Sequence, residues 1–557
     1  MVLAFEFQYI SNNGVLEQLL KNIALDFDIT HKIIKNGSIV TLFVEQNSEK
    51  LGEFADVLST SLPLSIFFKS SSVQVVESIP QGEENLLPCS FSIEFTPKIL
   101  SNIKDKNSSA YLNPFVVSSS NDALILAKDE KELLCAKEAN DFEKLYDQVA
   151  NFISEGENIE IKTKSGNYTF GKIENLLLLG MGDNFEVVAT DMSVVERLAV
   201  IRENEIKVLA SLERPSIRVK VNAFYASKGI LPSNRVKLRL ADDLLIHLIC
   251  EKLFAKGVHF IFKTKSANLP STIVVDFDKT LPFMEPLEVA VLENGEMLIV
   301  QGKSYAAPKL VESLDKFEDY AHASFASIMH EHGLFDNKSS CFYLSCVHDD
   351  RIMNYSREHG MLDLTHFKLP NSFQAIFDEI EKSGKSGQKM VENYKNSFPD
   401  IFAHAISTVI PQNTPQSIYS LWKMVSIILG FSKDFESGAQ ILIENAENFG
   451  GKKGPRIDYF LLKEEALIAD FNAIKCIRSG MSYKLAGIDD TTLSFGYLES
   501  LGYFFSDMSD FYKENLLNEK IALGGSLFGY RRLSELSCQN IKPNHTICLN
   551  RELPIEG

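Results

Sequence analysis

Apolar and polar residues alternate from Val2 to Tyr9, as in a strand with one buried face, and from Val15 to Leu25 the spacing becomes that of an amphipathic helix. Ser38 to Val44 predicts a second strand, Leu51 to Leu62 a second helix, and Leu64 to Val76 further strand. This order over residues 1–80 predicts a split βαβ sandwich. Residues 81–140 lose the periodicity, with loops at Asn107-Ser-Ser and Ser118-Ser-Ser-Asn. The pattern then predicts a helix at Phe142 to Ile153, strands at Ile159 to Thr163 and Phe185 to Ala189, a helix near 192–211, a strand at Ile217 to Val221 and a helix at 242–256. Leu287 to Leu292 and Met297 to Val300 flank Glu293-Asn-Gly-Glu as a hairpin would. Helices are predicted over 311–332, 371–395, 416–430, 434–447, 462–478 and 492–516. The chain closes with a strand at Ile521 to Leu523, Gly524-Gly525, another helix and a strand at Thr546 to Leu549.

A chain of 557 residues is too long for one compact core, and the pattern changes divide it at 1–80, 81–140, 141–285 and 286–557. Its formal charge of -18 repels nucleic-acid phosphates and anionic lipids, so neither is an expected partner. The best local basic group is Arg214, Arg218, Lys220, Lys228, Arg235, Lys237 and Arg239. Its mostly alternate spacing suits the solvated face of strands. No run of 18 apolar residues predicts a membrane span, and Met1-Val-Leu-Ala-Phe-Glu lacks the basic start of a signal peptide. The eight cysteines form no C-x-x-C pair, which fits reduced thiols in a cytoplasm better than a disulfide framework.

Several stretches resemble, in the same order, the HypF family of carbamoyltransferases. Ile521-Ala-Leu-Gly-Gly-Ser-Leu-Phe-Gly with the close Asn550-Arg-Glu-Leu-Pro-Ile-Glu-Gly resembles that family's "GGVFQN...LPPNDGG", and more distantly the tRNA threonylcarbamoyltransferases. Leu287-Glu-Val-Ala-Val-Leu-Glu-Asn-Gly-Glu resembles the first hairpin of its transferase domain, and Cys346-Val-His-Asp-Asp its D-x-H-P-D segment, retaining His348 and Asp350. Leu421-Trp-Lys-Met-Val-Ser-Ile-Ile-Leu-Gly resembles "LFDAVAALLG", and Phe435-Glu-Ser-Gly-Ala-Gln resembles "YEGQAA". Thr96-Pro-Lys-Ile-Leu and Tyr111-Leu-Asn-Pro-Phe resemble a zinc-finger segment; Glu155-Gly through Gly166 and Leu212-Glu-Arg-Pro resemble a YrdC-like domain. The resemblance implies a multidomain α/β fold: an acylphosphatase-like ferredoxin-type sandwich, a YrdC-like domain and a C-terminal actin/hexokinase-like carbamoyltransferase domain. It also implies hydrogenase maturation, in which carbamoyl phosphate and ATP yield carbamoyl adenylate and the carbamoyl group passes to a partner protein's cysteine.

The residues at each chemical station depart from that family. Its V-Q-G-V-G-F-R loop corresponds to Tyr9-Ile-Ser-Asn-Asn-Gly-Val-Leu, which has no arginine to clamp a phosphate. Thr96 and Ile99 stand at two zinc-ligand places, so no structural zinc is expected. Its K-G-x-G-G-F-H becomes Lys162-Thr-Lys-Ser-Gly-Asn-Tyr, leaving Lys162 as the catalytic candidate and Gly166 as a nucleotide-binding one, although Lys162 also suits an exposed strand. The basic run before "KPFA" is replaced at Asp183-Asn-Phe-Glu-Val, where acid would repel a triphosphate. Gly524 and Gly525 would let a backbone approach a nucleotide, or else form a tight strand–helix turn. Asp400-Ile-Phe-Ala-His resembles a helical His pair, giving Asp400 and His404, with Glu556 as the third candidate metal ligand. Lys423 replaces an aspartate, and Glu436 is kept as a catalytic candidate. His330 and His332, two apart, point to different sides of a helix.

Two readings follow. One is an active carbamoyltransferase using ATP and a divalent metal in its C-terminal domain; the other is a noncatalytic scaffold that binds a nucleotide or a maturation partner.

Overall fold

The computed structural model describes residues 1–89, 93–103, 123–180, 184–277, 283–314, 316–462 and 467–556. The loops at Asn107 and Ser118, the Tyr111 match and Asp183 lie outside them. The chain divides into two compact units, Met1–Val291 with Gln301–Pro308, and Leu292–Val300 with Lys309–Gly557.

The first unit opens with β1 (Val2–Tyr9), α1 (Val15–Asp26), β2 (Thr30–Asn36), β3 (Ile39–Glu45), α2 (Ser48–Ser61) and β4 (Phe68–Val76). The strands lie in the antiparallel order β2-β3-β1-β4. Alternate β1 residues Phe5, Phe7 and Tyr9 are buried, which is the face the alternation predicts. The sequence pattern misses β2. Its inward positions include Ile33 but also Lys35, buried and paired with Glu17 of α1 at 3.1 Å, so the strand does not read as apolar-alternating.

A ten-stranded mixed sheet follows among the described residues. Its centre is Glu186–Ala189, Phe260–Lys265, Gly166–Lys172 and Ile159–Thr163. Leu124–Lys128 and Lys131–Ala136, inside the segment that resembles a zinc finger, form one edge of this sheet. Helices Ala139–Glu155 and Leu244–Ala255 pack on each other over a core that includes Leu145, Val149, Ile161, Phe170, Leu245 and Ile249. The helix expected near 192–211 is broken. Val195–Leu198 and Glu203–Leu209 are helical, while Ala199–Val200 pairs with Val221 and Lys220 as a short strand. Thr96 and Ile99, at the zinc-ligand places, start a short helix, with Thr96 Oγ1 accepting the Ile99 N–H at 3.2 Å.

The second unit is built on a six-stranded sheet in the order Ala469–Asp470, Gly360–His366, Arg351–Ser356, Ser339–Tyr343, Lys520–Gly524 and Thr546–Leu549. The last three strands are parallel. Tyr320–His332 packs against Ser339–Tyr343 and Lys520–Gly524, and Asp490–Leu516 packs on Arg531–Ile541 and Gly438–Asn448. Two predicted helices are split. Asp319 caps a new start at Tyr320, accepting the Ala321 N–H at 2.9 Å, and 371–395 divides into Phe373–Lys382 and Lys385–Ser397. Of the helix expected over 462–478, residues 463–466 lie outside the described residues; beyond them the short strand Ala469–Asp470 precedes the helix Ala473–Leu485, capped by Asn472.

The only tryptophan in the chain, Trp422, is fully buried, and its indole N–H donates to the Tyr459 hydroxyl at 2.9 Å. Tyr459→Phe leaves that donor unpaired and should cost about 1–3 kcal/mol, read as a lower urea midpoint with unchanged slope. In the first unit His247 lies edge-on to Phe95, and burial, aided by repulsion from Arg214, pushes its imidazole down to about 4. The unfolded chain therefore binds a proton that the folded ring refuses. The stabilisation is present above pH 6.5 and is lost as pH falls toward 4. His247→Gln should flatten the fall in melting temperature across that window, a contribution of up to about 3 kcal/mol.

Candidate functional site

In an open sheet, loops at the carboxyl ends of parallel strands border the ligand crevice. In the second unit three such loops converge. Leu344–Asp350 follows Ser339–Tyr343, Gly525–Gly529 follows Lys520–Gly524, and Asn550–Glu556 follows Thr546–Leu549. Leu344 N–H donates to the Gly524 carbonyl at 2.9 Å, Leu527 N–H to the Leu344 carbonyl at 3.0 Å, and Gly525 N–H to the Ile555 carbonyl at 2.7 Å.

Glu556 is the hub. Its Oε1 accepts the Ser526 N–H at 3.1 Å, the Ser526 hydroxyl at 2.5 Å and the Ser345 hydroxyl. Ser345 Oγ in turn accepts the Val347 and His348 N–H groups at 3.0 and 2.8 Å, and Ser526 Oγ accepts Cys346 N–H at 2.9 Å. Both hydroxyls are thus oriented, with donors behind and a carboxylate in front. Asp350 is buried and accepts Ser345 N–H at 2.8 Å and Ile418 N–H at 2.6 Å. Burial raises its carboxyl well above the usual range against those two donors. His348 stacks on Tyr320 with centroids 4.0 Å apart. Burial pushes the Cys346 thiol up to about 12, which makes it a poor nucleophile. The last loop is fixed by Glu331, which accepts the N–H groups of Arg551, Glu552 and Leu553; burial raises this carboxyl to about 8.

Gly524, Gly525 and Glu556 therefore meet at one place, but the glycines do not form an open cradle. Gly525 sits at φ +91°, and a Cβ there would lie 2.1 Å from the Leu344 carbonyl oxygen; at Gly524 it would lie 2.7 Å from Ser324 Oγ. The pair permits tight loop packing. Asp400 and His404 share the helix Pro399–Ser407; Asp400 is exposed, and His404 Nε2 donates to the Lys433 carbonyl at 2.9 Å. Among the described residues no three His, Cys, Asp or Glu side chains are placed to hold a metal ion, so Asp400, His404 and Glu556 do not form the expected ligand set. Glu436 forms an ion pair with Lys423.

In the first unit, Lys162 is held by Asp276 at 2.9 Å and by the Phe277 carbonyl at 2.8 Å, and Gly166 starts the next strand of the hairpin. The charged cluster lies two residues on. Lys164 is buried and ion-paired with buried Glu94 beside a cavity of about 30 Å3. Burial lowers the Lys164 amine, and Asp243 opposes that. Burial also works against the charge on fully enclosed Arg239, but Asp242 at 3.2 Å and Glu186 at 2.8 Å outweigh it and raise its pKa. Lys263 completes the group, 2.8 Å from Asp242. The cavity is far below the roughly 300 Å3 at which small-molecule sites begin, so these residues do not fit ATP as arranged.

The first loop is likewise closed. Gly14 adopts φ +75°, and a Cβ there would lie 2.5 Å from the Leu87 carbonyl oxygen. Asn13 Oδ1 accepts the Val15 N–H at 3.1 Å, its amide donates to the Tyr305 carbonyl at 2.9 Å, and Lys35 donates to the Ser11 carbonyl at 2.9 Å.

Sequence reasoning missed Ser345, Ser526 and Glu94. The serines carry a findable signal, since each borders a motif that follows a parallel strand. Glu94 carries none.

No family model matches the chain. It is 28% identical over 501 residues to Protein HydE of Wolinella succinogenes, covering 87% of this chain and 86% of that protein. A crystal structure of full-length HypF in its phosphate- and nucleotide-bound form superposes with TM-score 0.65 at 15% identity, and the HypF of T. kodakarensis with TM-score 0.70 at 10% identity. Each covers 100% of this chain and 96% of the other. From end to end, then, this chain has the fold of full-length HypF, with its acylphosphatase-like sandwich, YrdC-like domain and C-terminal actin/hexokinase-like domain.

Proposed function

We propose that this chain serves nickel-iron hydrogenase maturation as a HypF-like protein whose acyl-phosphate and adenylating stations do not turn over, and that it acts by binding a maturation partner. The observation that carries the reading is the Lys164–Glu94 pair beside a cavity of about 30 Å3. The buried lysine in the hairpin that resembles the family's K-G-x-G-G-F-H has a carboxylate of the same chain against it. An incoming phosphate would have to displace that carboxylate and force the cavity open. The closed loop at Gly14 supports the same reading for carbamoyl phosphate. The likeness to HydE and to the HypF structures supports the maturation context.

A second reading, residual carbamoyl transfer in the C-terminal unit, draws on one observation: Glu556 holds two oriented serine hydroxyls at the strand ends. A phosphoryl group is disfavoured beside these serines, because the Glu556 carboxylate already holds both hydroxyls. Incubation of the full chain with ATP and carbamoyl phosphate decides between the readings. AMP and pyrophosphate release should stay at the buffer background. Release above it that disappears in Lys162→Ala would establish the enzyme instead.

A further inference from the structure

The two edges of the first sheet are treated differently. At β2, side chains of the following segment cover the edge: Glu84 accepts the Ile33 N–H at 3.1 Å, and Asn85 accepts Lys35 N–H at 3.0 Å while donating to the Lys35 carbonyl at 2.8 Å. At β4, from Ser70 to Val75, no such cover is seen among the described residues. The strand pairs with β1 on one side, and from Ser70 to Val75 its outer backbone groups have no strand partner among the described residues. β4 also carries none of the devices that protect an edge: no proline, no glycine, no paired bulge at its outer side, and one cation, Lys69, at its start.

Beside this bare edge lies an apolar groove. α1 packs over β2 and β3, so the β4 side of the same face is left open. Val73 and Val75 lie opposite Phe5 and Leu3 in the register and are 56% and 67% exposed. The groove has a volume of about 440 Å3, and its walls include Phe5, Phe7, Leu58, Leu62, Phe68 and Val73. Among the described residues that line it, none is charged.

An unpaired strand edge takes main-chain hydrogen bonds from an extended segment, and pockets along it take alternate side chains. We propose that β4 and this groove form a β-augmentation site for an extended segment of a partner protein. That segment would carry large apolar side chains at alternate positions and basic rather than acidic flanks. The volume argues for large side chains, since Val73 and Val75 of a second β4 would leave it unfilled. The flanks follow from charge: residues 1–80 carry nine acidic and five basic side chains, with Glu49, Glu53 and Asp56 exposed along α2. The inference does not depend on whether any station is catalytic.

The test uses the full chain and a nonapeptide that alternates threonine with leucine, phenylalanine and valine and has a lysine at each end. Fluorescence anisotropy should show saturable binding, weakened about tenfold or more by Val73→Lys with Val75→Lys. Both positions are exposed, so folding should survive, and circular dichroism checks it. If that double variant fails to fold, Gln74→Pro, at an exposed edge position, replaces it. A control peptide with its apolar residues grouped instead of alternating should bind at least tenfold more weakly. No binding, or binding indifferent to both substitution and pattern, overturns the proposal. So does sedimentation showing a dimer of the full chain that Val73→Lys dissociates, which would assign the edge to a second copy.

Discussion

A buried cation must have an anion beside it, and in this protein the chain supplies that anion itself. Lys35 has Glu17, Lys164 has Glu94, Lys263 has Asp242, and Arg239 has both Glu186 and Asp242. Pairing is what makes such burial tolerable, because an isolated buried charge costs several kcal/mol in a real protein. The same pairing removes what a phosphate needs. A site that binds an anionic substrate leaves a cation desolvated and waiting; here the buried cations Lys35, Lys164, Lys263 and Arg239 are each matched from within.

Packing reinforces the electrostatics. The Leu87 carbonyl occupies the space above Gly14, and the Leu344 carbonyl occupies the space above Gly525. In both places glycine lets two stretches of backbone touch. The second unit keeps the converging loops of its fold, but fills them with Glu556, Ser345 and Ser526, held in place by Glu331. The result is a HypF-like fold whose glycine turns are closed by neighbouring backbone and whose converging loops are filled by its own side chains. Its bare apolar strand edge, by contrast, faces out.

Much of the fold was legible in the residues. The alternation of Val2–Tyr9, the helical spacing after Gly14 and the Gly524-Gly525 turn between a strand and a helix all correspond to elements that form. What stayed hidden has a physical reason in each case. Lys35 breaks the apolar alternation of β2 because its partner Glu17 lies on a different element. Ala199–Val200 sits within a helical pattern but is captured by a sheet, and tertiary pairing overrides local preference. The convergence of Gly524, Gly525, His348 and Glu556 could be anticipated from the order of motifs. That Asp400, His404 and Glu556 make no ligand set among the described residues could not, since i,i+4 spacing fixes a helix face and says nothing of what that face meets.

The central claim is that internal groups occupy the places where small anions would bind. Titration calorimetry of carbamoyl phosphate into the full chain at low ionic strength tests it most directly, because that ligand is small enough to enter any cradle left open. The account predicts no saturable heat. Uptake at micromolar concentration with unit stoichiometry, abolished by substitution of Lys35, would show that the first loop opens to a phosphate and would contradict it.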